Sequence, residues 1–213
     1  MSELATRRQE EKDRRRDEIL DAAAETAAQH GMADFTMDQV ARKARLSRAL
    51  LYVYFTDKHD LLLGLADRAN AKLQLRFAAI NARKLNGLKK IQNMGRAYVA
   101  FAEEEPVYFE AMAHYVAHFA DGETPQGNEL RCMEGGTKVH GEIIAALEAG
   151  RKDGSLRRDL GNPMLMSFTL WAFMHGVVQL IATKGAAFQF FGIRSEQLVE
   201  QALSLCTRSL QKE

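Results

Sequence analysis

Residues 36–58 leave room for little besides two short helices joined at a sharp turn. Thr36 is a strong N-cap, and Met37, Val40, Ala41 and Ala44 follow it at helical spacing. Ser47 is a second N-cap, leading a segment in which Leu51 and Phe55 share one face. Only Ala44-Arg45-Leu46 lies between, which is too short for anything but a tight turn. This is a helix-turn-helix pattern, whose second helix is shaped to enter a DNA major groove. Arg42, Lys43, Arg45, Arg48 and Lys58 crowd the stretch, against Asp38 and Asp57. The whole chain is nearly neutral, at +1, so this basic character is local and fits a nucleic-acid reader. A solvated basic face on an ordinary helix pair would carry the same charges. The two caps, the turn length and the aromatic run Tyr52-Val53-Tyr54-Phe55 favour the reader.

Ile19-Leu20-Asp21-Ala22-Ala23, Gly31, Phe35-Thr36, Val40-Ala41, Ala44, Leu46-Ser47, Leu51-Tyr52-Val53-Tyr54-Phe55, Lys58 and Leu61 carry a further signal. Together they resemble the N-terminal domain of tetracycline-repressor (TetR) family regulators, over residues 14–63. The remainder resembles that family only in length and helical character. The resemblance implies a homodimer that binds double-stranded operator DNA. It assigns DNA contact to Thr36, Arg45, Ser47, Arg48, Ala49, Leu50, Tyr52, Tyr54 and Lys58. Arg48, in the first turn of the second helix, is placed to read guanine, and Leu50 to pack on a thymine methyl. Thr36, Ser47, Tyr52, Tyr54 and Lys58 suit phosphate contacts. For the tyrosines the plain alternative is core packing with a surface hydroxyl. The family usually has glycine where this chain has Arg45, and often glycine where it has Ala49. A left-handed backbone held by a non-glycine is therefore expected at Arg45. Upstream, Arg7, Arg8, Lys12 and Arg14-Arg15-Arg16 alternate with Glu10, Glu11 and Asp13, which favours a solvated helix extension over a minor-groove arm.

The chain as a whole reads as all-α, with a helix-turn-helix domain over 1–58 and a helical effector-binding and dimerisation domain over 59–213. Expected helices run from Glu10 to Gln29, from Asp57 through Phe77, through Ile91 to Phe101, through Tyr108 to Phe119, from Glu129 to Lys152, from Pro163, and from Ser195 to Leu210. Gly135-Gly136 and Gly141 are possible bends in the long one, and Lys184 to Arg194 reads as a phenylalanine-rich loop. Residues 164–183 contain no Asp, Glu, Lys or Arg. Their length would span a bilayer, but Ser167, His175, Gly176 and Gln179 are costly in lipid. Burial in a subunit interface is the expectation, with the last two helices pairing against a second copy and no membrane contact. Cys132 and Cys206 have neither ligand spacing nor a near partner, and the charged opening residues do not form a secretory leader. A reducing, cytoplasmic location is expected.

No nucleophile elbow, phosphate-binding glycine loop or zinc-protease signature occurs, so no catalysis and no cofactor are expected. His114 and His118 lie four apart, and His140 or His175 would complete a metal set. Without acidic or cysteine partners, polar lining is the stronger reading and no metal is assigned. Met94, Tyr98, Phe101, Met112, Tyr115, Met133, Phe168, Trp171 and Met174 are candidates for an adaptable apolar pocket taking a small effector, with hydrophobic core as the alternative for each. The expected function is a ligand-released repressor. A regulator governed by a protein partner or by no ligand, and a helical interaction module that does not bind DNA, are the competing readings.

Overall fold

The computed structural model describes residues 3–114 and 124–211. Among them it has nine helices and no strand: α1 Glu3–His30, α2 Met37–Lys43, α3 Arg48–Tyr54, α4 Lys58–Asn81, α5 Gly87–Glu104, α6 Pro106–Ala113, α7 Gly127–Asp153, α8 Pro163–Phe190 and α9 Ser195–Leu210. The caps read from the sequence start the short helices. Thr36 Oγ1 accepts from the Gln39 N–H at 3.3 Å, while Gln39 Oε1 accepts from the Thr36 N–H at 2.7 Å. This reciprocal box satisfies two donors that the first turn of α2 would otherwise leave open. Ser47 Oγ accepts from the Leu50 N–H at 3.2 Å and opens α3. Between them Arg45 takes φ 55, the one non-glycine with positive φ among the described residues.

That conformation costs an L-residue about 1–2 kcal/mol. Arg45→Gly is therefore expected to raise the unfolding midpoint modestly. The gain is trimmed because glycine also frees the unfolded chain, an opposing effect of about 0.4–1 kcal/mol. The same variant loses a cation beside α3 and should bind DNA more weakly. Chemical denaturation and DNA titration of the one variant check both halves.

Two compact units are present, and neither is contiguous in sequence: Met1–Ala69 with Pro106–Glu134, and Asn70–Glu105 with Gly135–Glu213. In the first, Ile19, Leu20 and Ala23 of α1, Phe35, Val40 and Ala41 of α2, Leu51 of α3, Phe55, and Leu61 and Leu65 of α4 form one core. The helix-turn-helix is held as a single piece because every one of its helices inserts an apolar face there. In the second, α5 buries Ile91, Met94, Tyr98 and Phe101. From α7 come Val139, Ile143, Ala146 and Leu147, and from α9 Ala202, Leu203 and Leu210. The start of α5 approaches α7 so closely that a Cβ at Gly87 would lie 2.1 Å from the Gly150 nitrogen, which only glycine permits.

Three boundaries differ from the sequence expectation. α1 begins at Glu3 instead of Glu10, because nothing in residues 3–9 breaks a helix. α7 runs unbroken from Gly127 to Asp153 through its glycines. The stretch expected as a loop from Lys184 is helical as far as Phe190. Ala186, Ala187 and Gln189 favour helix there, and the chain turns only at Gly192, with φ 71. The expected continuation through Tyr115, His118 and Phe119 lies outside the described residues.

By length and composition α8 is apolar enough to cross a membrane. Within its own unit it buries Ser167, Met174 and Val178. Leu165 (68% exposed), Phe168, Phe173 and Leu180 remain exposed along its length, continuing to Phe190 (85%) and Phe191 just past its end.

Candidate functional site

The candidate reading surface is α3 with its two flanking turns. Leu51 and the capping Phe55 anchor it, each fully buried. The opposite face carries Arg48, Ala49, Leu50, Tyr52 and Val53, all exposed. Arg48 Nε sits 3.3 Å from Asp38 Oδ1 on α2, and its guanidinium lies 5.6 Å from the Tyr52 ring centroid. Those two contacts orient the side chain while leaving it in water. Thr36, Arg45 and Ser47 are exposed around the same surface. Tyr54 is half-buried and packs against the core of the first unit, so much of its ring is structural. Lys58 turns inward: Nζ donates to the Ala33 carbonyl at 2.6 Å and stands 4.3 Å from the Phe35 ring centroid. Burial lowers its pKa, and Asp34 opposes that shift.

Arg16, expected in a solvated arm, is instead mostly enclosed, with a side chain 15% exposed. It stands 5.5 Å from the Phe55 ring centroid, and Nη2 donates to Asn128 Oδ1 at 2.7 Å. No local pattern could have revealed this, because its partner is 112 residues away.

The effector candidates divide between the units. Met112 and Met133 belong to the first, and Met133 is exposed. Met94, Tyr98, Phe101, Phe168, Trp171 and Met174 belong to the second. Tyr115 lies outside the described residues. In the second unit Tyr98, Phe168 and Trp171 gather around two histidines. Trp171 Nε1 donates to the Tyr98 hydroxyl at 3.2 Å, and that hydroxyl shares a hydrogen bond with His175 Nδ1 at 2.7 Å. His140 stacks on Phe168, with centroids 3.9 Å apart, and meets the edge of Trp171 at 6.0 Å. Ser167 donates to the Met164 carbonyl at 2.8 Å, so its oxygen is left to accept from His140 Nδ1 at 3.1 Å. Burial raises the Tyr98 hydroxyl pKa. The sequence marked Ser167 only as a polar residue in the uncharged run and not as a partner of His140, which is 27 residues away on another helix.

Burial lowers the pKa of both His140 and His175. The unfolded chain then takes up protons first. Stability from these groups is full above their unfolded value of about 6.5 and is lost as pH falls below it toward the folded values. Urea unfolding should therefore weaken from about pH 7 to about pH 5.5, with His140→Gln and His175→Gln flattening that slope. A slope unchanged in both variants would assign the pH dependence to other groups.

Burial also raises the thiol pKa of Cys132, to about 11, and that of Cys206, so neither is an activated thiolate. Among the described residues no group of three or more His, Cys, Asp or Glu is arranged to hold a metal ion. The His114 ring contacts the Glu110 carbonyl at 2.9 Å, while His118 lies outside the described residues.

Residues 19–65 match the family described as bacterial regulatory proteins, tetR family, and residues 91–205 match its tetracyclin repressor-like C-terminal domain. The second match alone spans more than half of the chain. The chain belongs to the TetR family. That family is one of transcriptional regulators, not enzymes, whose members bind operator DNA as dimers and respond to small-molecule effectors.

Among its relatives, the HTH-type transcriptional regulator SrpR of Pseudomonas putida is 34% identical over 35% of each chain. The putative mycofactocin biosynthesis transcriptional regulator MftR of Mycobacterium tuberculosis is 25% identical over 84% of this chain and 90% of its own. The match thus spans about a third of SrpR, and it spans 56% of the nucleoid occlusion factor SlmA of Aliivibrio fischeri. FadR of Bacillus subtilis, solved with stearoyl-CoA, shares the fold at TM-score 0.67, with 15% identity over 91% of this TetR-family chain and 98% of FadR. SmeT of Stenotrophomonas maltophilia, solved with triclosan, shares it at 0.64, with 19% identity over 93% and 92%.

Proposed function

We propose that this regulator is a cytoplasmic homodimeric repressor that holds a palindromic operator and is released by a small apolar effector. The observation that carries the DNA half is the exposed row Arg48, Ala49, Leu50, Tyr52 and Val53 on a short helix whose other face is locked into a core. A surface of that shape and charge fits base edges, with Thr36, Arg45, Ser47, Tyr54 and Lys58 toward the backbone. Lys58 has to leave the Ala33 carbonyl to reach a phosphate.

The dimer is assigned to α8 and α9. The exposed apolar residues of α8, with Leu205 of α9, form a surface with no charge between residues 164 and 183. A second copy covers such a surface by two-fold symmetry. Functionally the chain divides at 58/59, with DNA reading before and effector binding and pairing after. An effector role is assigned to Met94, Tyr98, Phe101, Phe168, Trp171 and Met174 of the second unit, whose aromatic and sulfur-rich character suits an apolar ligand; for Met112, Tyr115 and Met133 it rests on residue type alone. Proteins of the same fold hold stearoyl-CoA, which carries a long apolar acyl chain, and triclosan, a largely apolar molecule.

Selection of genomic fragments on the purified protein, followed by sedimentation, tests the proposal. An enriched inverted repeat bound by two chains is expected. A monomer at micromolar concentration, or no enriched repeat, overturns it. A thermal-shift screen of apolar compounds then separates an effector-controlled repressor from one governed by a protein partner.

A further inference from the structure

A line of side chains inside the first unit ends on α3 without belonging to its exposed face. Asn128, in the first turn of α7, uses both ends of its amide. Its Oδ1 accepts from Arg16 Nη2 at 2.7 Å, and its Nδ2 donates to Asp60 Oδ1 at 2.8 Å. The other oxygen of Asp60 accepts the Thr56 backbone N–H at 2.9 Å, one residue beyond the Phe55 cap of α3. Arg16 lies over the Phe55 ring at 5.5 Å and 3.9 Å from Asp67. Two features that fix where α3 ends, the Thr56 turn and the Phe55 ring, are thus tied to one carboxamide. Only a group that accepts from a cation and donates to a carboxylate can stand between Arg16 and Asp60, and a carboxamide does both. Three of the four residues are half-buried and Thr56 is exposed, so the line is partly shielded from competing water.

We infer that Asn128 is a positioning residue for operator recognition, setting the exit end of α3 and hence the angle at which its side chains meet the groove, without touching DNA. The inference rests on the DNA-reading assignment of α3. It adds a determinant from the start of α7, a helix whose residues from Gly135 onward belong to the other unit and carry His140.

Exchanging the two partners tests it. Asn128→Asp alone sets one carboxylate against another. Asp60→Asn alone keeps an oxygen for Thr56 but turns an amide donor toward the Asn128 donor. The double variant Asn128→Asp/Asp60→Asn restores a donor facing an acceptor and has the wild-type net charge. Binding to the selected operator and to random duplex is measured at one salt concentration, with amide exchange read at Thr56. Taking the ratio of the two affinities cancels the extra charge that each single variant brings.

Each single variant should lose roughly tenfold in operator-to-random preference, as a coupled pair does when one member is mismatched. Thr56 exchange should quicken in the singles. The double variant should recover the ratio to within about threefold and restore Thr56 protection. A merely structural role would lower the unfolding midpoint and the active fraction while leaving the ratio alone. An unchanged ratio in the singles, or a double variant as poor as they are, overturns the inference. Should a single variant not fold, the double decides: folded with the wild-type ratio it supports the inference, and unfolded or with a reduced ratio it overturns it. A wild type without operator preference fails the DNA-reading assignment itself, and the inference with it, which is a distinct result.

Discussion

Phe173→Glu is expected to convert the proposed dimer to monomers and to remove operator binding. Phe173 is 41% exposed on α8, in the uncharged run from 164 to 183, so a carboxylate there finds no cation on its own helix within that run. A two-fold interface meets the substitution twice. Each unpaired buried carboxylate costs several kcal/mol, and about 1.4 kcal/mol is tenfold in an equilibrium. Dimerisation should therefore weaken by more than about 100-fold. Operator binding falls with it, since a lone chain engages one half-site. Phe173→Leu, which keeps the apolar surface, should remain dimeric. Sedimentation of the two variants beside an operator titration makes the comparison, and a well-folded dimer from Phe173→Glu would remove α8 from the interface.

Arg48→Ala erases much of the preference for operator over random DNA. A lost bidentate arginine–guanine pair removes about 1–3 kcal/mol of discrimination, roughly tenfold to a hundredfold, at each half-site. A dimer on a palindrome loses that twice. Asp38, which holds Arg48 at 3.3 Å, is left without its partner, but both groups are exposed and fold stability should change little. Lys58→Ala provides the contrast. If Lys58 exchanges the Ala33 carbonyl for a phosphate, its loss weakens all sequences alike and lowers the salt slope by about one. Equal losses on operator and random DNA for Arg48→Ala would move base reading to another residue.

What could be read from the sequence was local. Thr36 and Ser47 announce their helices because a cap is settled within three residues, and the structure shows both bonds. The short spacing showed a tight turn, and the left-handed backbone at Arg45 was expected from the glycine that TetR-family members usually carry there; φ is 55. The Lys184–Phe190 stretch was misread because its phenylalanines drew attention away from the alanines that let α8 continue. Arg16 was misread because six cations beside three carboxylates look solvated in one dimension, although one of them turns inward to Asn128. Ser167 registered only as a polar residue in the uncharged run, and Asn128 gave no signal at all. Each owes its role to a partner on another helix, 27 and 112 residues away, and neither lies in a pattern that periodicity can detect.

The exposed apolar row along α8 and just past its end lies at residues 165–191, about a hundred residues after the helix-turn-helix. During synthesis the chain folds from its beginning, so the helix-turn-helix is complete before this adhesive surface leaves the ribosome. The nascent chain is thus spared early exposure of the segment most prone to wrong encounters. If two copies pair through this surface as proposed, the promoter gains a quadratic response. Below the dimer's dissociation constant, the species able to grip both half-sites grows with the square of the amount of protein made. Halving expression then cuts occupancy of a sparsely filled operator about fourfold, by mass action on assembly. A regulator built this way turns a small change in its own synthesis into a sharper change at its target.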